Sequence, residues 1–267
     1  MNESTYDRAV RSVDEIRERK LSGLRRMIER PNAWALDGRA VQTLVQGDLS
    51  DLCFIDEQDE RCSALFESLT RYGKLGVAGA FQAVFGEACN YTAEVASVFA
   101  EMAWSLGYLE PTRRLSELEW RSLISSVRTV YDEVDLRRSA VLERVGDASF
   151  SVGDRVLCYV GPNDSEWVAF DCWEEPVTRY VVEDGHFRHN FRTEREEDPL
   201  LRNVRVPAPS FNESLVLTTY GKVLRWGPGW WLHTQPARDL GTPEGVREQL
   251  QDINAGDPSQ SLGPRRP

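Results

Sequence analysis

The sequence predicts an α+β protein: an N-terminal helical domain over residues 1–146, a small antiparallel β barrel or sandwich over 147–240, and a short helix with a flexible tail over 241–267. Three observations predict it. Up to about residue 145, apolar side chains recur every three or four positions, the period of a helix with one buried face. From residue 150 the pattern becomes short β-branched and aromatic runs bounded by turn residues, the texture of antiparallel strands. The closing AGDPSQSLGPRRP has too little apolar surface to order itself.

The elements follow in order. Ser4 with Asp7 three residues on approximates a capping box, and Val10, Val13, Leu21, Leu24 and Ile28 carry one apolar stripe as far as Pro31. Residues 37–73 read as two shorter helices separated by the acidic joint IDEQDE at 55–60. The least charged stretch, 75–109, reads as helices at about 75–87 and 91–107 that meet near Cys89-Asn90, with Gly76, Ala78, Gly79, Ala80 and Ala83 permitting close helix approach. Ser116 to Glu119 is a capping box that opens a last long helix reaching Val145, striped by Trp120, Leu123, Ile124, Val127, Tyr131 and Val134. Runs at 150–161, 166–173, 178–191 and 214–234 read as strands, with turns at Glu183-Asp184-Gly185 and Gly227-Pro228-Gly229. Residues 193–210, polar and proline-containing, read as a long surface loop. Thr242-Pro243 is an N-cap with proline at the first helical position, so a short helix is expected over about 243–253.

A net charge of −11 disfavours binding of phosphate backbones and of anionic membranes, because both affinities come from exposed Lys and Arg. It favours approach of a basic protein. Neither half hides a basic region: 19 basic and 24 acidic residues precede residue 147, and 13 and 19 follow. Lysine occurs only at Lys20, Lys74 and Lys222 against 29 arginines, a bias that GC-rich bacterial genomes produce. The N-terminus is charged where a signal peptide needs an apolar run, and no uncharged apolar run reaches 18 residues. The five cysteines are odd in number and scattered, which suits small buried hydrophobes in a reducing cytoplasm.

Residues 62–111, CSALFESLTRYGKLG, VAGAFQAVFG and YTAEVASVFAEMAWSLGYLEP, resemble a winged helix-turn-helix. The resemblance implies three helices, with the third laid in a DNA major groove. Yet between Lys74 and Arg113 there is no Lys or Arg, and Glu87, Glu94, Glu101 and Glu110 are acidic, so such a segment is expected to bind protein instead. No phosphate-binding motif is present: Gly73, Gly76 and Gly79 have neither P-loop nor dinucleotide spacing. His186, His189 and His233 with Cys158 and Cys172 lack any zinc spacing, and no nucleophile motif marks a triad. No catalytic residue, metal or cofactor is therefore assigned.

Two surfaces remain as candidate partner-binding sites. Glu87, Glu94 and Glu101 fall seven apart, on one side of a continuous helix. Trp226, Trp230 and Trp231 surround a Gly-Pro-Gly turn, and tryptophan is enriched at binding hot spots. The function expected is that of a non-catalytic bacterial cytoplasmic interaction protein, an inhibitor, immunity factor or accessory subunit of a more basic partner. The alternatives are a DNA-binding regulator using the 62–111 segment and an enzyme without a sequence motif.

Overall fold

The computed structural model describes residues 12–33, 37–86, 90–131, 135–173, 177–183, 186–194 and 197–226. The expected N-cap at Ser4, the Gly227-Pro228-Gly229 turn and the terminal helix lie outside them.

The first helix, α1 (Val13–Glu29), is opened by Ser12, whose hydroxyl accepts from the Glu15 N–H while the Glu15 carboxylate accepts from the Ser12 N–H. Helices α2 (Gly38–Ile55), capped by Asp37, and α3 (Asp59–Ser68) flank the acidic joint as expected. Next come α4 (Gly76–Phe85) and α5 (Thr92–Ser105). The chain enters α5 through Tyr91, a non-glycine residue at φ +55°. From Thr92 to Ala100 every residue of α5 is buried.

The expected helix over 116–145 is two: α6 (Glu117–Val130), with the predicted Ser116/Glu119 box, and α7 (Arg138–Val145). Tertiary bonds account for the break. Between them the Leu136 carbonyl accepts from the Leu201 N–H at 2.6 Å, and the Asp135 carboxylate accepts from the Tyr220 N–H at 2.7 Å. The Asp198 carboxylate then accepts from the Ser139 N–H at 2.8 Å and caps α7 from a distant segment.

Strands β1 (Phe150–Val152), β2 (Val156–Val160) and β3 (Trp167–Cys172) form a meander. Strands β4 (Val177–Glu183) and β5 (His186–Glu194) pair antiparallel as a separate two-stranded sheet, with Glu183 opposite His186; Asp184 and Gly185 of the expected turn lie outside the described residues. Strand β6 (Leu201–Arg205) lies where a surface loop was expected. A one-turn helix α8 (Phe211–Ser214), strand β7 (Leu215–Leu217) and helix α9 (Thr219–Trp226) complete the described chain. Trp226 thus closes a helix, not a strand.

The sheet order is β1-β2-β3-β6-β7, antiparallel throughout, with β1 and β7 as its two edges. It is open, so the barrel expected from strand spacing is not closed. One face, with Val152, Val156, Cys158, Val160, Trp167 and Ala169, packs on α1 to α5. The other, with Leu157, Tyr159, Val168, Phe170 and Val204, packs on Leu115, Trp120, Leu123 and Val127 around α6 and on Val141 of α7. Helices cover both faces, which is why every residue of β2, β3 and β6 is buried. The core crosses the boundary expected near residue 146. No helix among the described residues is long and apolar enough to cross a membrane.

Candidate functional site

Helix α5 meets the sheet through charged groups. β6 carries a bulge: Asp171 faces Asn203 and Cys172 faces Leu201, leaving Arg202 as the extra residue. Arg202 and Asn203 therefore both reach Asp171, donating to its Oδ2 at 2.8 Å each. The Arg202 guanidinium also pairs with Glu94 of α5, which in turn holds Arg155 from the β1–β2 turn. Three rings surround that guanidinium, with centroids 4.4 Å (Phe85), 5.1 Å (Trp173) and 5.7 Å (Tyr91) away. Seven residues along α5, Glu101 pairs with Arg205 of β6.

Burial pushes the Glu94 carboxyl up, but the charges of Arg155 and Arg202 outweigh it and hold Glu94 below the usual glutamate range. Asp171 goes the other way: burial raises it, Arg202 only partly offsets that, and the Glu94 charge adds to the rise. Glu94, Asp171 and Arg202 are each no more than 4% exposed. The cluster ties the helical layer to the sheet and presents no surface to a substrate.

Two of the predicted site residues are therefore spent inside the molecule. Glu94 is 1% exposed and cannot meet a partner, and Glu101 is half-buried against Arg205. Glu87, Trp230 and Trp231 lie outside the described residues. Trp226 is half-buried at the end of α9, stacked under Arg225 and lining a cleft of about 370 Å³ beside β7. The major-groove role implied for the third helix of the 62–111 segment is not open to α5, whose first nine residues are all inside the core. Among the described residues Cys53, Cys62, Cys158 and Cys172 are buried, and burial raises the thiols of Cys62, to about 12, and of Cys158 and Cys172, so those three are not ready nucleophiles. No group of three or more potential metal ligands occurs among the described residues.

The acidic surface lies instead at the α2–α3 corner. Phe54, on the last turn of α2, is 75% exposed. Asp51 is exposed one turn before it, and Glu57, Asp59 and Glu60 are exposed just after. Asp51 shares Lys20 with Asp48, whereas Glu57, Asp59 and Glu60 have no cationic partner among the described residues. The corner is pinned from below. Arg17 holds Asp56 through two bonds of 2.7 and 2.9 Å, the Gln58 N–H donates to Cys53 at 2.8 Å, and Arg61 donates to the Ser105 carbonyl at 2.7 Å. Glu57 turns the chain at φ +54°. A fixed apolar knob is thereby set among four carboxylates. The sequence signal for this corner was the IDEQDE run itself, but that run shows only a charged joint and not that the neighbouring phenylalanine faces outward.

The chain matches no known protein family, no curated protein and no solved structure. The reading of its function therefore rests on the geometry alone.

Proposed function

We propose that the chain is a non-catalytic interaction protein, an inhibitor, immunity factor or accessory subunit, that holds a basic partner at the α2–α3 corner. The observation that carries this is Phe54, 75% exposed on a pinned turn and flanked by Asp51, Glu57, Asp59 and Glu60. Single exposed apolar residues are ordinary on protein surfaces. A large aromatic on a rigid corner is a different matter, because it supplies contact area without an ordering cost. The surrounding carboxylates select against anionic partners and speed the encounter with cationic ones. This relocates the acidic surface expected from the sequence: the glutamates of α5 face arginines within the fold, and those of the corner face solvent. A bacterial cytoplasm, the setting expected from composition, suits such a role.

The test compares captured partners. Wild-type chain, Phe54→Ser and the triple reversal Glu57→Lys, Asp59→Lys, Glu60→Lys are used as bait in bacterial lysate at low and high salt. The proposal expects one stoichiometric partner of positive net charge, retained by wild type at low salt and lost with either variant. A partner retained equally by all three proteins would place the interface elsewhere, and recovery of the bait alone would remove the proposal.

A further inference from the structure

We infer that the groove between α6 and α7 binds a small amphipathic carboxylate, its head on Arg144 and Tyr131 and its apolar tail along Leu118. The groove is a cleft of about 430 Å³, within the size range of small-molecule sites, lined in part by Leu118, Leu123 and Val145 together with Glu119, Tyr131 and Arg144. Tyr131 is 2% exposed and packs edge-on against Phe170, yet its hydroxyl makes no hydrogen bond among the described residues. A hydroxyl sealed from water without a partner is costly. This one is not sealed, so it is the part of the residue that meets the groove. Arg144, on the last turn of α7, is exposed and forms no ion pair or hydrogen bond among the described residues. Its charge reaches the tyrosine: burial raises the Tyr131 pKa, and Arg144 pulls it partway back. The hydroxyl therefore stays protonated at neutral pH and offers a donor near an unpaired guanidinium.

The other charged residue of the lining is already satisfied. One Glu119 oxygen accepts from the Ser116 N–H and hydroxyl at 2.7 Å each, and the other accepts from Arg113 at 3.0 Å. Arg113 lies against Gly146 at the end of α7, so this carboxylate and its cation cancel at the groove wall. What remains is one positive charge and one neutral donor. Together they match a carboxylate, held by the guanidinium in a two-bond fork while the tyrosine hydroxyl donates to one of its oxygens. A phosphate would bring a second negative charge with no cation to meet it, on a molecule of net charge −11. The apolar part of the ligand is set by the rim. Leu118 is 79% exposed beside the buried Leu123 and the half-buried Val145, and an aliphatic tail laid along them takes that surface out of water. Helices α6 and α7 cover the sheet face opposite α1 to α5, so this groove is separate from the Phe54 corner and either can fail without the other.

The experiment is a calorimetric titration of the full chain with octanoate at pH 7. Acetate, octylammonium and octyl phosphate are the controls for the tail, the sign of the charge and the number of charges. Octanoate is expected to bind, with acetate and octylammonium each at least about tenfold weaker and octyl phosphate no tighter than octanoate. Arg144→Gln, an exposed change, is expected to weaken octanoate about tenfold through loss of the charge-assisted bonds. Tyr131→Phe is expected to weaken it about threefold and to leave the urea midpoint where it is, because the hydroxyl has no partner in the free fold. No binding of octanoate below its micellar concentration, equal binding of octylammonium, or an unchanged affinity in either variant would each overturn the inference. Tighter binding of octyl phosphate would overturn it as well, since the head group would then not be a carboxylate. So would a lowered urea midpoint in Tyr131→Phe, since the hydroxyl would then be spent inside the fold.

Discussion

Glu94 sits where a carboxylate is most costly to lose. It is 1% exposed and bridges two guanidiniums that come from different elements. A buried pair adds little net stability compared with an apolar isostere, yet removing one partner strands the other charge without water. Glu94→Gln should therefore destabilise the fold by about 3–5 kcal/mol, the cost of breaking a buried ion pair, in urea unfolding at pH 7. Glu117→Gln, which breaks the exposed pair with Arg121 one helical turn away, should cost no more than about 0.5 kcal/mol. The pH dependence has a defined sign. Because the folded-state pKa of Glu94 is depressed, its contribution is complete above the ordinary value of 4.5 and is lost as pH falls through the lower folded value. The gap between wild type and Glu94→Gln should narrow in acid. A gap that stays constant down to acid unfolding would show that Glu94 is held by packing alone. Asp171 works in the opposite direction, since its raised pKa stabilises the fold most at low pH and the contribution fades as pH rises through the elevated value.

At the scale of elements, β6 shows where sequence reading stops. Its residues, Leu201-Arg202-Asn203-Val204-Arg205, alternate in no simple way, and a polar, proline-flanked context reads as a loop. The bulge at Arg202 explains this: it sends Arg202 and Asn203 to the same acidic partner and leaves Leu201 and Val204 for the opposite core. Those charges are legible only once Glu94 and Asp171 are known to face them. By contrast, the Ser116/Glu119 capping box, the acidic joint between α2 and α3 and the pairing of β4 with β5 depend on neighbours in sequence, and they were legible. The cap of α1 was missed: Ser4 with Asp7 is the expected box, whereas the box that opens the helix is Ser12 with Glu15. Strands β2 and β3 carried a signal that pointed past a one-sided sheet: VLCYV and WVAFDC have too few polar positions for a face in water. At the same bulge, Gly221 allows α9 to lie directly on the strand, and an added Cβ would overlap the Arg202 carbonyl oxygen. Gly221→Ala should cost about 1–3 kcal/mol through overpacking and should loosen α9, with faster amide exchange from Lys222 to Trp226. Tight exchange with unchanged stability would mean that α9 is not anchored there.

For the molecule as a whole, the decisive feature is an apolar cluster that spans both halves of the chain. The apolar cluster that includes Leu24, Val45, Phe81 and Phe99 of the helices also includes Val156, Cys158, Val160 and Trp167 of the sheet. α5 is the shared element: Trp104 packs at a tilt against Trp167 with centroids 5.8 Å apart, and its glutamates pair with arginines from beyond residue 150, Glu94 with Arg155 and Arg202 and Glu101 with Arg205. A chain ending at Gly146 would expose that aromatic surface and deprive Glu94 of Arg155 and Arg202. Such a chain should retain helical signal in the far ultraviolet but lack a cooperative urea transition, since the packing that makes α5 rigid is missing. The full chain should unfold in one step, with tryptophan fluorescence and far-ultraviolet circular dichroism tracing the same midpoint. Two separated transitions, or a sharp transition from the truncated chain, would establish two independent folding units and would make the Glu94–Arg202 cluster an interface between domains rather than part of a single core.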